Sequence, residues 1–348
     1  MSDAQTIRHR LVNTGAARLH VAELGEGPLV LLVHGFPELW YSWRFQLPAI
    51  AAAGYRAVAF DQRGYGESSK FWRSDAYRIG PLVDDVVALV RALGEREAIL
   101  IGHDWGAPVV WTAAWKHPEI FRGVLGMSVP FSGRGLIALP GNPFGECSPR
   151  EVHRRVAGPE LEFYQEYFGT LGPVIDEIEG DLRGWVRDLM WTVSGDALAA
   201  SGFTLSGGDP VALIRASALC LRPGDRMRDR FATPAHMPAW LSDADLDVFV
   251  DALQRGGFGG PLSYYRNLQD DWLDLAPLQG RKLETPAMFL GAEYDVATWW
   301  GEEAIARAPE VSSNWMGSRI LKGAGHWLQQ ERAEETNAAV VAFLQALR

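Results

Sequence analysis

The stretch Ala98-Ile99-Leu100-Ile101-Gly102-His103-Asp104-Trp105-Gly106-Ala107-Pro108-Val109-Val110-Trp111 decides how this chain is read. Its first four residues are an apolar run of strand length, and the run from Val109 to Trp115 has the length and character of a helix. Glycines at 102 and 106 flank the turn between them. Strand, sharp Gly-flanked turn and helix make the context of a nucleophile elbow, which holds its middle residue out at the tip. Here that residue is Asp104, where an esterase carries serine. A carboxylate is ionised at neutral pH, so it attacks carbon without a general base. A turn aspartate that only caps the next helix is the plainer reading of Asp104, and the rest of the chain decides between the two.

Moving outward, Pro28-Leu29-Val30-Leu31-Leu32-Val33 and Arg56-Ala57-Val58-Ala59-Phe60 read as strands, as does Val124-Leu125-Gly126-Met127-Ser128-Val129. Leu82 to Val90 carries its apolar residues on one broad helical face. Strands alternating with helices imply βαβ units and a parallel sheet. The alternation stops near Phe131. From there to about Ala276 the patterns are helical or loop-like: Glu160 to Phe168, Asp181 to Val193, and Asp243 to Leu253 with Ser242 as N-cap. Strands return at Pro286 to Leu290 and Ser318 to Leu321, and Glu331 to Leu347 reads as a terminal helix. The expected architecture is α/β. A mostly parallel core sheet flanked by helices spans 1–133 and 278–348, and a helical cap spanning 134–277 is inserted into it.

Composition narrows the function. Hydrophobic residues are 47% and charged residues 22% of the 348, an ordinary globular balance. The net charge of -10 argues against nucleic acid and anionic membrane as partners. Met1 to Gln5 lacks a signal-peptide pattern, no apolar run is long enough to span a bilayer, and the two cysteines form no CxxC. A reduced, cytoplasmic enzyme is expected. The eight histidines show no HxxxH or HExxH spacing, so neither a metal nor a cofactor is expected.

Two further residues complete a constellation with Asp104. Asp295 lies just past a strand in Phe289-Leu290-Gly291-Ala292-Glu293-Tyr294-Asp295, and His326 lies on the Gly-rich loop Gly323-Ala324-Gly325-His326-Trp327. Nucleophile, acid, histidine is the chain order of a hydrolase triad built on an elbow. Asp295 would hold the imidazole in one tautomer, with Glu293 as the fallback. The alternative place for the acid, Ser128-Val129-Pro130-Phe131-Ser132, holds no carboxylate. Attack by Asp104 makes an ester of its own side chain, and His326 would activate water to hydrolyse it. The oxyanion then needs donors: the backbone N–H of Trp105 by elbow geometry, and that of Phe36 in His34-Gly35-Phe36-Pro37. An alkoxide leaving group needs an acid. Tyrosine, with a pKa of about 10, can serve, and the insertion offers Tyr164, Tyr167, Tyr264 and Tyr265. Asp61 and Arg63 read as a charged pair holding a turn beside the elbow. His34 and His103 read as supports of the site loops. Phe36, Trp105 and Trp327 are candidate walls of the substrate pocket.

On these motifs the chain resembles the epoxide hydrolases of the α/β-hydrolase superfamily, and within them is most similar to the mycobacterial epoxide hydrolase B group. The residues that carry the likeness are His34 to Glu38, Asp61-Gln62-Arg63-Gly64-Tyr65-Gly66, Gly102 to Ala107, Tyr164-Gln165, Gly260-Pro261-Leu262 with Tyr265, Tyr294-Asp295 and Gly325-His326-Trp327. The resemblance, not the spacing, selects Tyr164 and Tyr265 as the acids. It implies a small apolar epoxide and water as reactants, with a vicinal diol as product. Relatives suggest a homodimer. Mammalian soluble relatives carry an extra N-terminal phosphatase domain for which this length leaves no room. The rival enzymatic reading is a dehalogenase with the same nucleophile and base. The rival from another class is a hydrolase-fold receptor that binds without turnover.

Overall fold

The computed structural model describes residues 6–202 and 209–348; Met1 to Gln5, read above for a signal sequence, lies outside them. The chain opens with β1 (Arg8–Asn13), β2 (Arg18–Leu24), β3 (Leu29–Val33) and β4 (Arg56–Phe60), followed by β5 (Ala98–His103) and β6 (Phe121–Met127). Two-residue strands β7 (Glu162–Phe163) and β8 (Cys220–Leu221) fall in the insertion, and β9 (Ala287–Ala292) and β10 (Trp315–Leu321) complete the set. Helices α1 (Gln46–Ala52), α2 (Ile79–Ala92) and α3 (Gly106–Lys116) connect the first core strands.

The continuous apolar runs seen in the sequence are buried on both faces of the sheet. Leu31, Val33 and Leu100 pack with Leu82, Val86, Val109 and Val110 of α2 and α3. Their neighbours Val30, Leu32, Ile99 and Ile101 pack on the opposite face with Leu47 and Ile50 of α1 and with Val340, Phe343 and Leu344. Burying one such side chain is worth about 1.5–3 kcal/mol. Both faces are filled this way, so the central strands carry no polar alternation.

Eight strands form one sheet in the order β1-β2-β4-β3-β5-β6-β9-β10. From β4 to β10 neighbouring strands run parallel, while β1 and β2 add an antiparallel edge. The connections run one way from β3 to β4 and the other way from β5 onward. The crevice at such a reversal, outside the carboxyl ends of the strands, is where open α/β sheets bind ligands. Phe36 follows β3 and Asp104 follows β5, so both lie at that point.

Several expectations need correction. β1 and β2 were not anticipated: they sit at an edge, four of the six β1 residues around Arg8–Asn13 are charged or polar, and the polarity is absorbed by Arg10 and Arg56 pairing with buried Glu23. Asp61 and Arg63 do not pair with each other. Arg63 makes a two-pronged bond to Asp85 at 2.6 and 2.8 Å. Asp61 instead takes His20 Nδ1 at 2.8 Å and the Trp40 N–H at 3.0 Å. Because both side chains of the Arg63–Asp85 pair are buried, removing one strands the other charge. Asp85→Ala should therefore cost about 3–5 kcal/mol, read as a lower urea midpoint at unchanged slope.

Among the described residues, the segment between β6 and β9 is built mainly of helices and loops, with the β7–β8 pair and an isolated Leu139–Asn142 bridge. Its helices include Leu182–Thr192, Asp243–Gly256 and Gly259–Arg266. Ser242 and Asp245 form a reciprocal capping box at the start of the second, a device that satisfies two orphan N–H groups. The helix expected over Glu160 to Phe168 is shorter than the pattern suggested. Glu162–Phe163 pairs with Cys220–Leu221, the Tyr164 N–H goes to Leu219 O at 2.8 Å, and the helix is confined to Tyr164–Phe168. The terminal helix is likewise two pieces, Leu328–Glu331 and Ala333–Ala346, separated at Arg332.

Candidate active site

Asp104 sits at the elbow with φ +49, a left-handed conformation that is uncommon for a residue with a side chain. The start of α3 presses against the end of β3: a Cβ on Gly106 would lie 2.0 Å from Val33 O. The close approach admits only glycine there, and it forces the tight turn that lifts Asp104 to the sheet's carboxyl edge. The Asp104 side chain keeps 18% of its surface accessible. Its two oxygens have different surroundings. Oδ1 accepts the Phe36 N–H at 2.6 Å, and Oδ2 lies 3.5 Å from His326 Nε2. The loop after β3 thus brings a backbone N–H directly onto the Asp104 carboxylate. Trp105 is the residue from which α3 departs, and its side chain is buried.

On the far side of the imidazole, His326 Nδ1 lies 3.0 Å from Asp295 Oδ1. Asp295 is itself fixed by the Ala297 N–H at 3.2 Å and by Thr298 Oγ1 at 3.1 Å. Glu293, the fallback acid, instead binds Lys322 and the Gly323 N–H. Burial opposes a charge on His326, but the Asp295 and Asp104 carboxylates outweigh it and hold its pKa well above the ordinary value. Burial likewise opposes ionisation of Asp295, and the facing imidazole reverses that, leaving its pKa below the usual carboxylate range. Ser128 was dismissed in the sequence for lacking a carboxylate, yet its Oγ lies 3.2 Å from His326 Nδ1. The one signal in the sequence was its place at the alternative acid position; its φ of +69 is visible only in the fold.

The four candidate tyrosines separate by the partners of their hydroxyls. Tyr264 donates to Arg63 O and Tyr167 to Glu177. Tyr164 and Tyr265 lie together, with ring centroids 6.1 Å apart. Burial raises the pKa of each, and the charge on Asp104 raises it further. Gln165 Nε2 donates to the Tyr164 hydroxyl at 3.1 Å, filling an acceptor site while leaving the phenolic proton to be given away. The Trp105 ring stands edge-on to Tyr265, with centroids 5.3 Å apart. Phe36, Trp105 and Phe168 pack edge-on around Tyr265 with centroids 5.0–5.3 Å away, forming an aromatic wall. Trp327 differs from the other two proposed wall residues. It is 1% exposed, its indole N–H goes to Met190 O at 2.8 Å, and its ring backs His326 at 4.6 Å.

Beneath these groups runs a buried network that sequence spacing did not reveal. Glu38 accepts the Gly35 N–H at 2.9 Å, His103 Nδ1–H at 2.6 Å and Gln329 Nε2–H at 2.8 Å. His103 Nε2 lies 2.7 Å from His326 O. One carboxylate thus ties the Phe36 loop, the elbow and the histidine loop together. Burial works against its charge, but His103 prevails and its pKa falls to about 2. His34 supports the same loops: its Nδ1 bonds Gly35 O and its Nε2 accepts the Gln62 N–H. Among the described residues no cluster of three or more His, Cys, Asp or Glu side chains is arranged to hold a metal, and no helix is long and apolar enough to cross a membrane.

A parallel sheet, an elbow after its fifth strand, a loop N–H bonded to the elbow aspartate after its third and a histidine after its last define an α/β-hydrolase fold, and the family model for that fold matches residues 28–170. Over 98% of its length the chain is 51% identical to epoxide hydrolase B of Mycobacterium tuberculosis, covering 99% of that protein. It is 40% identical to epoxide hydrolase A of the same organism, with 97% of each chain covered. A solved epoxide hydrolase from an endophytic Streptomyces superposes with a TM-score of 0.88 at 42% identity, covering 98% of this chain and 96% of that one. The chain belongs to the epoxide hydrolase family of α/β-hydrolases.

Proposed function

We propose that this enzyme hydrolyses small apolar epoxides to vicinal diols through an ester on Asp104, with 134–277 acting as a cap over a core of 1–133 and 278–348. The observation that carries the reading is the convergence of Asp104, His326 and the Tyr164–Tyr265 pair from separate parts of the chain. Asp104 Oδ2 attacks an epoxide carbon and the C–O bond to that carbon breaks. The departing oxygen takes a proton from Tyr164 or Tyr265, while the other tyrosine donates a hydrogen bond. His326 Nε2 then removes a proton from water, and the hydroxide adds to the Asp104 carbonyl carbon. The oxyanion forms at Oδ1 against the Phe36 N–H, with the Trp105 N–H as second donor. Collapse breaks the Cγ–Oδ2 bond, the leaving oxygen takes its proton from the His326 imidazolium and the diol departs; the water oxygen stays in Asp104, whose carboxylic acid returns a proton through solvent to the tyrosinate.

The electrostatics support this order. Before attack, the Asp104 charge keeps both tyrosines protonated and favours imidazolium at His326. Ester formation removes that charge. The tyrosines then become better acids as the epoxide oxygen gains charge, and His326 is freed to act as a base.

Single-turnover hydrolysis in oxygen-18 water tests the route. Label should enter Asp104, seen by peptide mass, and the first diol should be unlabelled. A labelled first diol would mean direct attack of water on the epoxide and would defeat the ester mechanism.

A further inference from the structure

Glu331 lies five residues beyond His326, is 7% exposed, and among the described residues its carboxylate is met by backbone N–H groups rather than by a cation. Its Oε2 accepts the Gly195 N–H at 2.8 Å and the Gly325 N–H at 2.9 Å, and its Oε1 accepts the Trp327 N–H at 3.0 Å. The last two donors flank His326. The first belongs to the inserted segment, at the start of the short helix Gly195–Ala200. The His326 N–H itself crosses to Val193 O at 3.0 Å. The two segments touch without space for a side chain: a Cβ on Gly325 would lie 2.1 Å from Gly195 N, and one on Gly195 would lie 2.7 Å from Gly325 N.

We infer that Glu331 is a positioning residue for the water-activating step: it clamps residues 193–195 of the insertion to both sides of His326 and so fixes where the imidazole stands. The inference rests on the two-step reading above. Alkylation needs Asp104 and the tyrosines, none of whose side chains bonds Glu331 or residues 193–195. Hydrolysis needs His326 Nε2 aligned on the attacking water, so a small shift of the loop falls chiefly on that step. Misplacing a catalytic group by about an ångström is worth roughly a hundred-fold in rate.

The amide of Glu331→Gln turns an N–H toward at least one of the three N–H donors, at unchanged volume. Ester hydrolysis should slow roughly ten- to a hundred-fold while the alkylation rate stays within about two-fold, so that ester accumulates and KM falls together with kcat. Gly195→Ala, which pushes the same segment away from the other side, should produce the same split. Equal slowing of both half-reactions in both variants, or no slowing, would remove the positioning role. Wild-type label entering Asp104 alongside either of those results would sink this inference while leaving the ester mechanism standing. A labelled first diol in the wild type would sink both.

Discussion

The His326→Gln enzyme should react once and then stop. The nucleophile and the Tyr164–Tyr265 pair are left in place, so the epoxide opens and the ester forms. The ester then meets no base. Intact-protein mass should rise by one substrate mass, on the peptide that contains Asp104, with a burst of no more than one equivalent. Steady-state diol formation should fall roughly 10²–10⁴-fold, the span of general-base contributions. An unmodified protein with unchanged turnover would place the base elsewhere. The wild-type enzyme should approach this behaviour in acid. In the ester the Asp104 charge is gone, so the His326 pKa lies below its raised value in the free enzyme. Hydrolysis needs the neutral imidazole and is lost as pH falls through that lower value. Alkylation does not use the neutral imidazole and is not lost with it. Rapid-quench measurements should therefore find more ester at lower pH.

Replacing Tyr164 and Tyr265 together by phenylalanine should damage the opposite half of the cycle. Loss of either donor should slow alkylation roughly 10²–10³-fold, the range for removing one donor to a developing oxyanion. Loss of both should leave no measurable ring opening, because the alkoxide has no proton source and only an aromatic wall beside it. No ester should accumulate in the double variant, in contrast to His326→Gln, and the hydrolysis rate of any ester formed by other means should be unaffected. A double variant that still alkylates Asp104 at the wild-type rate would remove the tyrosines from the mechanism. Halide release from haloalkanes by the same variant would point to the dehalogenase reading.

What could be read from the sequence follows the range of the interactions involved. Asp104, Asp295 and His326 announce themselves because each sits in a short motif whose turn has its own composition. The central strands β3 and β5 do so because both of their faces are buried. The antiparallel edge was hidden because β1 is mostly exposed and the charge of Glu23 is cancelled by arginines on neighbouring strands. Glu38 and Gln329 were hidden for a different reason: their hydrogen bond joins residues 291 apart, and no periodicity encodes such a pair. Tyr264 and Tyr265 are neighbours on one helix, so spacing alone could not choose between them. The docking of Gly259–Arg266 turns the first hydroxyl to Arg63 O and brings the second ring beside Phe36 and Trp105.

The unequal surroundings of the Asp104 oxygens carry one more consequence. The Phe36 N–H grips Oδ1 at 2.6 Å in the resting enzyme, and the same contact would steady that atom through ester and tetrahedral intermediate. On the proposed route Oδ1 is then a permanent resident of the side chain, while its twin departs with every diol and is replaced from solvent. On that route the protein would be a stoichiometric reagent rebuilt at one atom in each cycle, and the product's new hydroxyl would date from the water consumed one turnover earlier.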